Sequence, residues 1–212
     1  VVKVCLEDGI RRMVALCLAP QYSRWSTELY FNALRDAVKN DDVELRFVTG
    51  WSNHPLLVDA FVEKYQAAIK KLKGMGMEEV HTIFTVHSIP AESLDYGDPC
   101  AEEYNKTVQA IVQRVKPHRW YQDYQSQGLI PVPWLGPTVE NTLDKIARQG
   151  SKTVLIFPVG FVSDHIEILY DIDIGFKNYA TAKKLQLSRT ESLNLSPAFI
   201  ETLASLVWEH SI

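Results

Sequence analysis

Short apolar, β-branched runs alternate along this chain with longer runs whose apolar residues recur at helical spacing. Repeated strand–helix alternation with apolar strands is the pattern of parallel sheets covered by helices, so it predicts an α/β architecture. Residues 13–18, ended by Pro20, read as a buried strand. Ser26 is placed to cap a helix with Leu29, Ala33, Leu34, Ala37 and Val38 in register. Residues 44–48 read as a strand. Pro55 opens a helix carrying Leu57, Ala60, Phe61, Tyr65, Ala68, Ile69 and Leu72 on one face, stopped by Gly74 and Gly76. Strands follow at 80–86, 120–125 and 153–157. Helices are expected at 102–115, at 139–148 behind a Thr138 cap, from Asp164 with Ile168, Leu169 and Ile172 inside, and from Pro197 towards His210.

The 212 residues are 46% hydrophobic and 23% charged, with a net charge of −4, so a core can form and disorder by charge is excluded. The same balance offers no basic excess for phosphates, which excludes a nucleic-acid partner. Lys70, Lys71 and Lys73 suit a helix C-terminus better than a binding patch. No apolar stretch approaches the roughly 20 residues of a membrane span. Residues 1–8 are too short and too charged for a secretory signal and lack an initiator Met, so the chain is expected to begin inside an element. Cys5, Cys17 and Cys100 are odd in number and far apart, which argues against a disulfide framework, a zinc ribbon or an iron–sulfur cluster. The compartment expected is the reducing cytosol.

Several familiar motifs fail. Gly74-Met75-Gly76 lacks a third glycine and follows a helix, against dinucleotide binding. The stretch 171–175 lacks the third oxygen ligand of a calcium loop. Two segments stand out instead. In the first, 84–90, His87 follows a buried strand at the start of a long loop, where open α/β folds place ligands. A strand-end histidine bonded only to backbone is the plain alternative. In the second, 163–173, Asp164, Glu167 and Asp171 fall at i, i+3 and i+7, a row on one helical face. A solvated acidic face is the plain alternative, against which the preceding residues 159–162 are too apolar for a surface tip. One imidazole and a row of carboxylates at strand ends suit a divalent cation in transit, held in an open site that hands it on. The loop 124–137, fixed by prolines and glycines, carries Trp134, which either walls a flat hydrophobic ligand or packs in the core.

The segments 84–90, Gly97-Asp98-Pro99, Gln125-Ser126 with 133–137, 163–170 and 189–199 resemble, in order, those of the ferrochelatase family. The resemblance implies two similar Rossmann-like, chelatase-like halves with a porphyrin cleft between them, the first half incomplete here. Residues 1–52 would be the remainder of the first half, 53–160 the second, and 161–212 helices returning to the first. It implies that Fe²⁺ is inserted into a porphyrin in haem synthesis, with iron as substrate and no permanently bound cofactor. It assigns His87 and Glu167 as the catalytic, metal-contacting pair facing the macrocycle, and Asp171 as the next acidic position on the metal side. Gly175 stands where the family often carries another carboxylate. Ser126 and Trp134 match pocket residues; Tyr22 and Tyr30 match positions that face the porphyrin. The spacing around 125–135 and the run 158–165 look like the bacterial coproporphyrin branch, with protoporphyrin as the alternative substrate.

Metal insertion requires Fe²⁺ to shed water, two pyrrole protons to leave and the flat ring to bend; a pocket that prefers the bent ring favours the transition state. A neutral His87 suits the role of proton acceptor, with Glu167 carrying metal or relaying protons; the opposite assignment uses the same residues. Two rival readings also use them: a cobalt or nickel chelatase, and a non-catalytic porphyrin or haem carrier with His87 as axial ligand. A greasy porphyrin would suit a peripheral membrane contact, although no amphipathic basic helix supports one. Oligomeric state is not legible.

Overall fold

The computed structural model describes residues 1–211. Two parallel sheets form, each flanked by helices. The chain opens in α1 (Val2–Glu7) and enters β1 (Arg12–Leu16), which pairs in parallel with β2 (Glu44–Val48) across α2 (Thr27–Val38). After β2, α3 (Pro55–Gly74) leads to β3 (Val80–His87), α4 (Cys100–Val115), β4 (Arg119–Gln125), α5 (Val139–Arg148) and β5 (Thr153–Phe157). A π-helix (Glu167–Phe176) runs into α6 (Lys177–Ala182), followed by β6 (Gln186–Arg189) and α7 (Pro197–Glu209). The second sheet has the order β4-β3-β5-β6, all parallel. Its inner strands are covered on both faces: β5 is buried throughout, and β3 up to His87, with the polar His81, Thr82 and Thr85 buried along it.

The helix ends follow local chemistry. Thr138 accepts the Asn141 N–H while the Asn141 side chain accepts the Thr138 N–H, a reciprocal cap on α5. Lys71 and Lys73 lie in the last turn of α3, where cations suit the helix dipole.

The structure departs from several expectations. Leu29 is exposed, and α2 turns Thr27, Phe31 and Val38 inward instead; Ser26 precedes it without a side-chain cap. The first strand stops at Leu16, not 18. β6 escaped the sequence reading because Gln-Leu-Ser-Arg is short and half exposed at a sheet edge. Finally, Asp164 does not start a helix. The helix begins at Glu167 with wide turns: the Lys177 N–H reaches back five residues to the Ile172 carbonyl. That geometry buries Ile168, Ile172 and Phe176, spaced by four, and leaves Leu169 exposed.

One apolar cluster joins the two sheets. Val48 and Trp51, at the end of β2, share it with Leu57 and Phe61 of α3, Phe84, Phe157, and Phe199 and Leu206 of α7. Trp51 stacks on Phe199 at 6.3 Å and donates its indole N–H to the Cys17 carbonyl. Among the described residues, no helix is long and apolar enough to cross a membrane.

Candidate functional site

β3 and β5 are parallel neighbours, so their C-terminal ends release two loops side by side. His87 is the last residue of β3. The loop after β5 is pressed against it through Gly160: a methyl group there would lie 2.8 Å from the Val86 Cα, closer than atoms approach. The Gly160 N–H also donates to the Thr85 carbonyl at 3.1 Å. This close approach, open only to glycine, delivers Glu167 to His87 across a gap. The His87 Nε2 lies 3.5 Å from Glu167 Oε1, with both side chains a little over a third exposed (39% and 38%).

The His87 ring is oriented from behind. Its Nδ1 is 2.5 Å from the Ser88 carbonyl. A carbonyl only accepts, so Nδ1 carries a hydrogen, and in the neutral ring Nε2 presents its lone pair towards Glu167. A lone pair and a carboxylate facing each other attract a cation between them, whether a proton or a metal ion. His165, which the sequence reading passed over in favour of the carboxylates beside it, completes the group. Its Nδ1 accepts the Glu167 N–H at 3.3 Å and lies 3.8 Å from Glu167 Oε2, and its ring rests against Phe161. The signal was its place two residues before Glu167, on the same loop.

These residues line a cleft of about 480 Å³. The loop after β1 forms one wall with Cys17, Gln21, Ser23 and Trp25, joined by Tyr30 of α2; Val86 to Ile89, Phe161 and Val162 contribute others. Trp134 closes a further side. Its segment pairs with the loop after His87, through Ala91 N–H to the Pro133 carbonyl (2.9 Å) and Leu135 N–H to the Ile89 carbonyl (3.0 Å). The Ser88 hydroxyl adds a bond to the Leu135 carbonyl. Trp134 packs closely against Gly128, where a Cβ would meet the indole at 2.8 Å. Burial pushes the Cys17 thiol up; burial, then Asp98 and Glu103, push Cys100 to about 12, so both cleft cysteines stay thiols.

Four of the expected site residues, His87, Glu167, Trp134 and Tyr30, therefore share one cleft. Three do not. The Tyr22 hydroxyl donates to Glu28, and its side chain does not line the cleft; burial and the Glu28 charge raise its pKa to about 12. Ser126 donates to Asp171, and both line a second hollow of about 470 Å³ with Tyr124, Tyr170 and Gly175. Glu167 and Asp171 lie about one turn apart on the wide helix, one on each hollow. Asp164 leaves the expected row altogether. It accepts from Ser192 (2.8 Å) and Asn194 (2.9 Å) and pairs with Arg189 at 3.2 Å. Burial would raise its carboxyl, but those bonds and the Arg189 charge outweigh it and hold the pKa low. Among the described residues no group of three or more His, Cys, Asp or Glu could hold a metal ion.

Comparison with known proteins points the same way. The ferrochelatase family model matches residues 1–211. The chain is 38% identical to a ferrochelatase of Acidobacterium capsulatum, over 97% of this chain and 68% of the relative. It is 37% identical to that of Herpetosiphon aurantiacus (98% and 68%) and 33% to that of Deinococcus radiodurans (97% and 66%). It thus spans about two thirds of the length of these relatives. In fold it is similar to SirB from Bacillus subtilis, solved with Fe³⁺, at a TM-score of 0.68 and 10% identity, covering 99% of this chain and 75% of that one. With the two-sheet α/β fold and these relatives along nearly its whole length, the chain belongs to the ferrochelatase family.

Proposed function

We propose that this chain inserts Fe²⁺ into a porphyrin, coproporphyrin III in preference to protoporphyrin IX, and releases two pyrrole protons. The observation that carries the reading is the His87–Glu167 pair, 3.5 Å apart across an apolar-walled cleft. The family and its curated relatives support porphyrin metallation as the reaction class.

Each residue then has a task that its geometry allows. Trp134, Tyr30 and Phe161 offer aromatic surface to a flat macrocycle. His87, pinned at Nδ1, takes a pyrrole proton at Nε2. Glu167 lies next to that nitrogen and either steadies the imidazolium or contacts the arriving iron; His165 braces the Glu167 backbone. The metal ion is a substrate in this scheme, and the open two-residue site suits release with the product. The coproporphyrin preference rests on the spacing of residues 125–135 around Trp134 and on the run 158–165.

His87→Ala is expected to lower the rate of insertion by roughly 10² to 10⁴-fold, the range of a lost general base, with an unchanged far-UV spectrum. Loss of free-porphyrin absorbance on adding Fe²⁺ reports the rate. Insertion at the parent rate would refute the assignment. The ratio of kcat/KM for coproporphyrin over protoporphyrin tests the substrate, and a ratio below one reverses the preference. Better turnover with Co²⁺ than with Fe²⁺, or a stable haem complex without insertion, would replace the reading itself.

A further inference from the structure

The tripeptide Gly97-Asp98-Pro99 does not line the cleft that holds His87 and Glu167, yet its turn is closely specified. Gly97 takes a left-handed φ of 71°, which folds the chain back so that the Asp98 N–H meets the Ser93 carbonyl at 3.0 Å. Pro99 then leads into α4. Asp98 itself is 7% exposed and does not line the cleft.

Its two oxygens serve different parts of the chain. Oδ1 accepts the Cys100 N–H at 2.8 Å, a first-turn donor of α4. Oδ2 accepts the Ser23 hydroxyl (2.8 Å), the Arg24 N–H (2.8 Å) and the Trp25 N–H (3.2 Å), all from the loop after β1. The Trp25 N–H is shared with the Ser23 hydroxyl at 3.0 Å, and the Arg24 guanidinium donates to the Tyr96 carbonyl at 2.8 Å. Ser23 and Trp25 line the cleft. One buried carboxylate therefore fastens a cleft wall from the first sheet to a helix of the second. Bonds from neutral donors to a buried carboxylate are of the strong, charge-assisted kind.

We propose that Asp98 is a positioning residue that holds the wall at residues 23–25 against the tetrapyrrole, setting affinity for the flat ligand and not the rate of the chemical step. The separation follows from the architecture. His87 and Glu167 are placed by β3, the Ser88 carbonyl and the Gly160 contact, none of which runs through Asp98. The tetrapyrrole in this proposal rests on the proposed function; the fastening of the wall does not.

Two variants of the full chain test it. Asp98→Asn turns an acceptor that gathers several donors into a group with an N–H₂ of its own. Ser23→Ala leaves the Cys100 bond, and so the start of α4, intact while deleting the hydroxyl that Asp98 and Trp25 share. Both are expected to speed hydrogen exchange at the Arg24 and Trp25 amides, by about tenfold in Asp98→Asn. Both should raise the porphyrin KM, again by about tenfold in Asp98→Asn, with kcat within about twofold, the mark of lost uniform binding. Quenching of porphyrin fluorescence gives the matching dissociation constants. Unchanged exchange at both amides overturns the proposal. So does a lower kcat at constant KM, which a reduced folded fraction produces. If the parent binds no porphyrin, the proposed function and the ligand of this inference fall together. If the parent binds normally and the variants match it, only the assignment to Asp98 falls.

Discussion

Asp123, on β4, is fully buried and half satisfied. Thr142 donates to Oδ1 at 2.9 Å, while Oδ2 has no partner. Burial, only partly offset by the Thr142 bond, raises its pKa from 3.8 to about 7. The native state thus keeps a proton that the unfolded chain sheds at lower pH. Stability linked to this group is highest below about pH 4, falls as pH rises, and is fully lost above about 7. Asp123→Asn should remove that slope. Urea midpoints at pH 5 and pH 8, compared between parent and variant, check it; identical slopes would dismiss the assignment. At this scale the sequence was informative where a side chain sits on a strand end, as His87 does. It was uninformative for Tyr22 and Ser126, whose directions depend on Glu28 and Asp171, partners that spacing does not reveal.

The π-helix and the loop before it decide what the cleft contains. An α-helical reading stacks Asp164, Glu167 and Asp171; the helix begins only at Glu167, so Asp164 falls on the loop before it, and each carboxylate has a different neighbour. Apolar periodicity alone cannot separate the two, because Ile168 and Ile172 are inside in either case. The other elements were legible in proportion to their apolar content: α3 and β5 lie where the pattern put them, whereas the polar edge strand β6 left no trace. Gly160→Ala tests the loop. The methyl has no room over Val86, so the loop must lift, destabilising the fold by about 1–3 kcal/mol. Moving Glu167 away from His87 by an ångström is expected to slow insertion by roughly a hundredfold. A rate within twofold of the parent would show that the contact does not set the geometry.

The molecule as a whole is tied by α7, which stacks Phe199 on Trp51 and buries Leu206 in the cluster shared by both sheets. Its end reaches the first sheet, where Arg46 donates to the His210 carbonyl at 3.2 Å. Leu206→Ala should cost about 2–5 kcal/mol and lower one melting transition common to both sheets, not split it into two. Near-UV and far-UV circular dichroism melts that diverge in the parent would contradict this unity. The imidazole at the centre is held at its far nitrogen by the Ser88 carbonyl, which keeps the other nitrogen turned towards Glu167. Under the proposed chemistry, whatever hydrogen it collects must depart through the same atom that received it. The macrocycle would then be stripped of its hydrogens one after the other, and the interval between them would be set by how fast the cleft can drain a single proton.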